Sequence, residues 1–349
     1  MRLINTFLAL IIFFLSIILL PSPTATFSCN DSKWNSELIT TYSVTLVLTV
    51  DSSGCGNFTK VQDAIDAVPD SKYSATLIIL NTGIYREKVN VRATKINLVM
   101  QGQGYLNTFI EWNDNGNLTG TFNSYSFGIF ASNFTAYNIS FKANQNTAPP
   151  AYPGEFGAQA VALRANGDQA AFYGCGFYGV QDTLHDDLGR HYFKECFIEG
   201  SIDFIFGNGR SLYEDCIISS IAKPEWTGDG GYITAQGQES PANQSGFSFV
   251  NCDIIGTGKI LLGRPWKKFA KVVFSTTNMS EVVAATGWNC KLDDTYADSA
   301  FFGEYNCMGP GAIKTSPPRR TCGKQLKDNE ASPYINISYI DGADWLRRF

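Results

Sequence analysis

Asp182 and Asp203 occupy the same offset in two successive copies of a short internal repeat. Each lies seven residues after a cysteine, Cys175 in Phe172-Tyr-Gly-Cys-Gly-Phe177 and Cys196 in Tyr192-Phe-Lys-Glu-Cys-Phe197. If the repeat is one coil of a solenoid, the two carboxylates stack on neighbouring rungs, about 4.8 Å apart. At that distance they can address one reacting group, and like-charge repulsion pushes one pKa upward. Gln159, Gln181 and Asp203 follow one another at 22-residue spacing, which puts two amides on the same face. An oriented carboxylate can act as a nucleophile, a protonated one as a general acid, and amide NH2 groups can hold developing negative charge. Arg264, in Leu261-Leu-Gly-Arg-Pro-Trp266, is a cation that could keep one aspartate ionised through a bidentate pair. The alternatives are a polar ladder on solvent turns and a surface arginine at a turn.

The elements that must position these groups are legible as a repeat. Asn138-Ile-Ser-Phe, Gly174-Cys-Gly-Phe, Glu195-Cys-Phe-Ile, Asp215-Cys-Ile-Ile and Asn251-Cys-Asp-Ile share a polar or small residue, a small apolar one, a variable one and a large apolar one. Their centres are separated by 36, 21, 20 and 36 residues. Steps near 20 suit one coil of a parallel β-helix, and steps of 36 suit coils that carry a long loop. The other architecture considered is an antiparallel sandwich or barrel, whose hairpins would want tight two-residue turns. Strands are expected at 77–80, 96–100 and 127–130. A helix over 59–69, capped by Thr59 and stopped by Pro69, would cover the open end of the coil.

Inward-facing Cys175, Cys196, Cys216 and Cys252 can be read as a stack of small buried hydrophobes or as rungs close enough for a disulfide, Cys196 with Cys216. Nine cysteines leave an odd one, for which Cys29 is the candidate. Net charge is −5 with no Lys/Arg block, which argues against nucleic acid. Arg2, the apolar run 7–20 and the Pro/Ser/Thr/Ala stretch after it have the parts of a secretory signal over residues 1–26, too short for a confident span. Eight Asn-x-Ser/Thr sequons, at Asn30, Asn57, Asn117, Asn133, Asn138, Asn243, Asn278 and Asn336, agree with secretion.

Five segments, Gly83-Ile-Tyr-Arg-Glu87, Gln159-Ala-Val-Ala-Leu163, Gln181-Asp-Thr-Leu184, Asp203-Phe-Ile-Phe-Gly207 and Leu262-Gly-Arg-Pro-Trp266, occur in one order along the chain. Together with Tyr339-Ile-Asp-Gly-Ala-Asp-Trp-Leu346 they resemble the signature segments of plant pectin methylesterases. The resemblance implies an all-β fold, a right-handed parallel β-helix, that uses no metal or organic cofactor. It implies a catalytic domain over 46–349. Many family members also carry a long helical inhibitor-like pro-region, whereas here only the short segment 27–45 separates the leader from that domain, so no autoinhibitory segment is expected.

By the same resemblance Asp203 is the nucleophile on the C6 methyl ester of galacturonate, and Asp182 the acid and then the base. Gln159 and Gln181 are the oxyanion amides, and Arg264 holds Asp203. Thr121 and Trp266 bind substrate, together with Gln159 and Arg264, and Cys196 is bonded to Cys216. The implied partner is methyl-esterified pectin, with a proteinaceous inhibitor as a further candidate and a monomer as the form.

This chain departs from the pattern at Val180, His185 and Asp187, where the family usually has Tyr, Tyr and His. His185 is then either a titrating neighbour of the site or a solvated loop residue, and His191 is structural. An insertion at Ala151-Tyr-Pro-Gly-Glu-Phe156 lengthens a loop in which Tyr152 and Phe156 could meet sugar. The competing functions are pectin chain cleavage and a non-catalytic pectin binder. A glycosidase would need carboxylates placed about a glycosidic bond, and a lyase a basic residue and Ca2+. Neither fits the paired glutamines.

Overall fold

The computed structural model describes residues 29, 31–71, 73–144, 158–225, 231–289, 296, 298–312 and 322–347. The leader and the insertion around 151–156 lie outside them.

The chain winds as a right-handed parallel β-helix of three sheets, which contain eleven, eight and seven strands among the described residues. A representative turn runs through Arg190–Lys194 of the first sheet, Phe197–Gly200 of the second and Ile205–Gly207 of the third. It returns to the first at Arg210–Glu214. Neighbouring rungs pair in parallel, for instance Tyr192 with Leu212 and Phe197 with Ile217. That pairing excludes the antiparallel sandwich.

The repeat has a backbone cause. Its first residue is the corner between the first and second sheets, and it sits in the left-handed region at every copy: Asn138 at φ 57°, Gly174 at 57°, Glu195 at 54°, Asp215 at 54° and Asn251 at 55°. Left-handed backbone favours Gly and Asn/Asp, whose short polar side chains bond locally, so the corner selects polar or small residues. The following cysteine then points inward. Phe172, Phe193, Tyr213, Phe249 and Phe274 stack beside it with ring centroids 4.8, 4.5, 4.5 and 4.4 Å apart.

The cysteine ladder is one of thiols, and this corrects the expected bond. Cys196 and Cys216 are free and buried, as are Cys175 and Cys252. In-register rungs hold their Cβ atoms one strand spacing apart and parallel, wider than the 3.5–4.5 Å a disulfide prefers. Each sulfur turns to a carbonyl of the preceding rung instead: Cys196 Sγ donates to Phe172 O at 3.5 Å and Cys216 Sγ to Phe193 O at 3.4 Å. The disulfide that does form joins Cys29, expected to be unpaired, to Cys55, and Cys322 is also disulfide-bonded.

The capping helix is present as Val61–Ala67, with Val61, Ala64 and Ile65 buried over the end of the coil. Its N-cap is Lys60, not Thr59, and no local side chain caps it. The orphan N–H groups of Val61 and Gln62 donate to the two carboxylate oxygens of Glu87, at 2.8 and 2.9 Å. A carboxylate at a helix N-terminus also meets the positive end of the dipole. At the other end the ammonium of Lys95, 3% exposed, donates to the carbonyls of Asp66 and Val68. Glu87→Ala should therefore cost about 1–2 kcal/mol, the cost of losing a cap, read as a lower urea midpoint at unchanged slope. An unchanged midpoint would show that the helix is held by packing alone.

Candidate active site

Asp182 and Asp203 occupy the corner between the second and third sheets on adjacent rungs. Gln181 bridges to Ile202, and Leu184 pairs with Ile205, which sets the two carboxylates in register. Both have left-handed backbone, φ 63° and 49°, a conformation Asp tolerates better than most residues. The corner thus aims both side chains out of the coil into one place.

The floor beside them is a single row across the third sheet. Arg164 pairs with His185, His185 with Phe206, Phe206 with Ala235 and Ala235 with Arg264. The small Ala235 lies next to Arg264 in this row, where a larger side chain would narrow the cleft. Arg264 donates from Nε to Asp203 Oδ1 at 2.8 Å and from Nη2 to Oδ2 at 2.5 Å, a two-pronged pair with the carboxylate 9% exposed. From its other side the guanidinium lies 5.4 Å from the Tyr232 ring centroid.

Asp182 has no such cation of its own. Burial raises its pKa well above the ordinary carboxylate value, the charge on Asp203 pushes the same way, and Arg264 only partly opposes them. The pair is therefore split, one carboxylate held by a guanidinium and its neighbour favoured as the protonated acid.

Asp182, Asp203, Arg264, Thr121 and Trp266 line one cleft of about 410 Å3, together with Phe122, Phe206 and Ala235. Gln181, buried directly beside Asp182, leaves its Oε1 without a partner. Gln159 stands at the adjoining loop, where Gly116 N–H donates to its carbonyl at 2.7 Å. A Cβ on Gly116 would lie 2.9 Å from Gln159 Oε1 and 3.3 Å from Thr121 Oγ1, so a side chain there would displace the Gln159 amide. Trp266 packs over Gly237, where a Cβ would come within 2.8 Å of the indole.

An aromatic wall went unread in the sequence. Phe122 stacks on His185 at 5.0 Å, His185 on Phe206 at 4.3 Å, and Trp266 meets both phenyl rings edge-on. The Phe in Asp203-Phe-Ile-Phe-Gly207 was a signal for part of it, but Phe122 comes from a separate loop. His185 is neither solvated nor titrating near neutrality: it is 1% exposed, and burial lowers its pKa to about 4. Asp187 is held by Arg164, whose Nε and Nη2 reach one carboxylate oxygen at 2.9 and 2.7 Å.

His185→Phe should therefore leave the shape of the activity profile between pH 5 and 8 unchanged while shifting KM; a lost ionisation in that range would contradict a neutral stacked imidazole. The depressed pKa also means that native His185 contributes stability above its unfolded value, near 6.5, which is lost as pH falls toward 4. The Phe variant should lack that component.

His191 is structural, as expected. It is fully buried, with Nδ1 2.5 Å from Asp186 Oδ1 and Nε2 3.1 Å from Gly167 O. Among the described residues no group of three or more His, Cys, Asp or Glu is arranged to hold a metal ion.

A three-sheet solenoid whose aromatic cleft holds a cation-paired aspartate beside a raised-pKa aspartate, with Gln159 and Gln181 outside the cleft lining, fits a carboxylic ester hydrolase. The pectinesterase family model matches residues 47–343, and the chain belongs to that family. It is 55% identical over 303 residues to putative pectinesterase 14 of Arabidopsis thaliana, covering 86% of this chain and 89% of that protein. To probable pectinesterase 8 of the same plant it is 48% identical, covering 91% and 81%. Among solved structures it is similar to pectin methylesterase from carrot, with TM-score 0.79 and 30% identity over 86% of this chain and 94% of that one.

Proposed function

We propose that the protein hydrolyses the C6 methyl esters of homogalacturonan, giving pectate and methanol, with Asp203 as nucleophile. The observation that carries this reading is the asymmetry of the pair: Arg264 grips Asp203, while Asp182, one rung away, has its proton affinity raised.

An Asp203 oxygen attacks the ester carbonyl carbon, and the amides of Gln159 and Gln181 receive the developing oxyanion. Asp182 gives its proton to the departing methoxide, leaving an anhydride between the galacturonate carboxyl and Asp203. Asp182, now a carboxylate, takes a proton from water as the water attacks the galacturonyl carbonyl carbon. Collapse expels the Asp203 carboxylate and leaves a galacturonic acid whose proton is lost to solvent, while Asp182 keeps the proton it took from water for the next cycle. Thr121 and Trp266 bind the polymer, the indole presenting a flat face to a sugar ring.

The substrate is a wall polysaccharide, and the leader at 1–26 is the segment that would direct the chain there. Among the described residues no helix is long and apolar enough to cross a membrane. A proteinaceous inhibitor is a further candidate partner, and the enzyme is expected to act as a monomer. Methanol release from methylated pectin tests the activity. Release of reducing ends or unsaturated products without methanol would replace it with chain cleavage, and pectin binding with no product would make the chain a binder.

A further inference from the structure

A second concavity lies away from the cleft and shares no lining residue with it. It is a groove of about 620 Å3 on the outer face of the eleven-stranded sheet, between residues 42–43 of the N-terminal segment and 343–347 near the C-terminus. Asn97, Asn133 and Gln169 edge it on three consecutive rungs, all with left-handed backbone at φ 57°, 59° and 65°. Tyr73, Tyr173 and Trp345 supply aromatic surface, and Tyr73 is 93% exposed. Flat amphipathic rings beside carboxamides suit the two faces of a sugar, apolar C–H and polar hydroxyl.

Asn133 is also the acceptor of the sequon Asn133-Phe-Thr135, which the catalytic site does not use. Its side chain is exposed and makes no hydrogen bond among the described residues. We propose that Asn133 is N-glycosylated and that the proximal sugars of its glycan lie in this groove, against Tyr73, Tyr173 and Trp345. A covalent tether at the groove's edge gives the sugars a high effective concentration there, so weak stacking suffices to dock them.

In the modification, Nδ2 of Asn133 bonds to the anomeric carbon of a polyisoprenyl-diphosphate-linked oligosaccharide. The anomeric C–O bond breaks, the diphosphate departs with its electron pair, and Nδ2 releases a proton. Thr135, the residue that completes the sequon, is 8% exposed in a strand with neighbours on both sides. Transfer therefore precedes closure of that rung, and the glycan is present while the flanking segments dock.

The proposal rests on passage through the secretory route, and the test separates the two. The full chain is secreted from a eukaryotic host, its sequons are mapped by glycopeptide mass spectrometry, and glycan release by peptide N-glycosidase is timed on the folded protein. Asn133 should be occupied. Its glycan should leave about tenfold more slowly than that of the loop sequon Asn243, the factor given by nine-tenths docking, and the difference should vanish on denaturation.

Asn133→Asp, which keeps a residue tolerant of left-handed backbone, should speed amide exchange over 343–347 and leave methanol release unchanged. Thr135→Val, which removes the sequon without altering Asn133, should do the same. Glycan at Asn243 with Asn133 bare overturns this site alone. Equal release rates from the folded protein overturn the docking, and absence of glycan from every sequon overturns the site together with the secretory route.

Discussion

Asp203→Asn is expected to lower methanol release from methylated pectin by about four orders of magnitude or more, the scale on which removal of an essential nucleophile acts. The substitution keeps side-chain shape and a residue type that accepts φ 49°. Loss of activity in a protein with unchanged circular dichroism and near-native Tm would then report chemistry, not folding. Asp203→Ala is less clean. It deletes the partner of a guanidinium that is 26% exposed and costs up to about 3 kcal/mol, below the range for a fully buried pair because solvent still reaches the arginine. Activity in the Asn variant within tenfold of wild type would remove Asp203 from the nucleophile's role. Trapping of a galacturonyl ester on another side chain would reassign that role.

The second large effect is at Asp182, where activity and stability should move in opposite directions. Asp182→Asn removes the proton donor and the later base, and general acid–base catalysis supplies about 10²–10⁴-fold, so kcat should fall by that factor. The alkaline limb of the native profile, set by loss of the Asp182 proton, should disappear with it.

Stability should rise. The folded pKa of Asp182 lies above its unfolded value, so the folded state binds the extra proton. The stability this group contributes is present below the unfolded pKa and is lost as pH climbs through the folded one. Above that point the native protein carries a charge that burial and Asp203 both oppose, and the amide does not. The Tm advantage of Asp182→Asn should therefore be small in acid and grow with pH, by about 1–2 °C for each kcal/mol relieved in a domain of this size. A Tm difference that stays flat with pH would show that Asp182 is not held protonated by its surroundings.

Much of the fold was written locally because a solenoid repeats its instructions. The corner residue must accept left-handed backbone, the next must be small enough to point inward, and a large apolar residue must stack on its counterpart one coil away. The copies at Asn138, Gly174, Glu195, Asp215 and Asn251 therefore display the period directly. The same period puts Asp182 beside Asp203, since a fixed offset from equivalent corners is a fixed place on adjacent rungs.

What is not periodic was not legible. The helix cap comes from Glu87, 26 residues from Val61, because the end of the coil brings that carboxylate beneath the first turn. Disulfide bonding falls outside the ladder, at Cys29–Cys55 and at Cys322, because stacked inward thiols satisfy themselves on the carbonyls of the previous rung. The aromatic wall needs Phe122 from a loop to meet His185 and Phe206 from a sheet row, and the loop's path follows from packing, not from its own sequence.

By itself the sequence determined the solenoid, its capping helix and the pairing of two aspartates on one face, because each depends on residues one coil apart or fewer. Residue spacing left the two aspartates equivalent, and their separate roles came from the family resemblance; the tertiary structure supplies the contact that distinguishes them. Arg264 is 61 residues from Asp203, and the row through His185, Phe206 and Ala235 brings its guanidinium onto that carboxylate while leaving Asp182, half-buried in the same cleft, without a pair of its own among the described residues. The asymmetry of charge follows from that placement, and the proposed chemistry follows from the asymmetry.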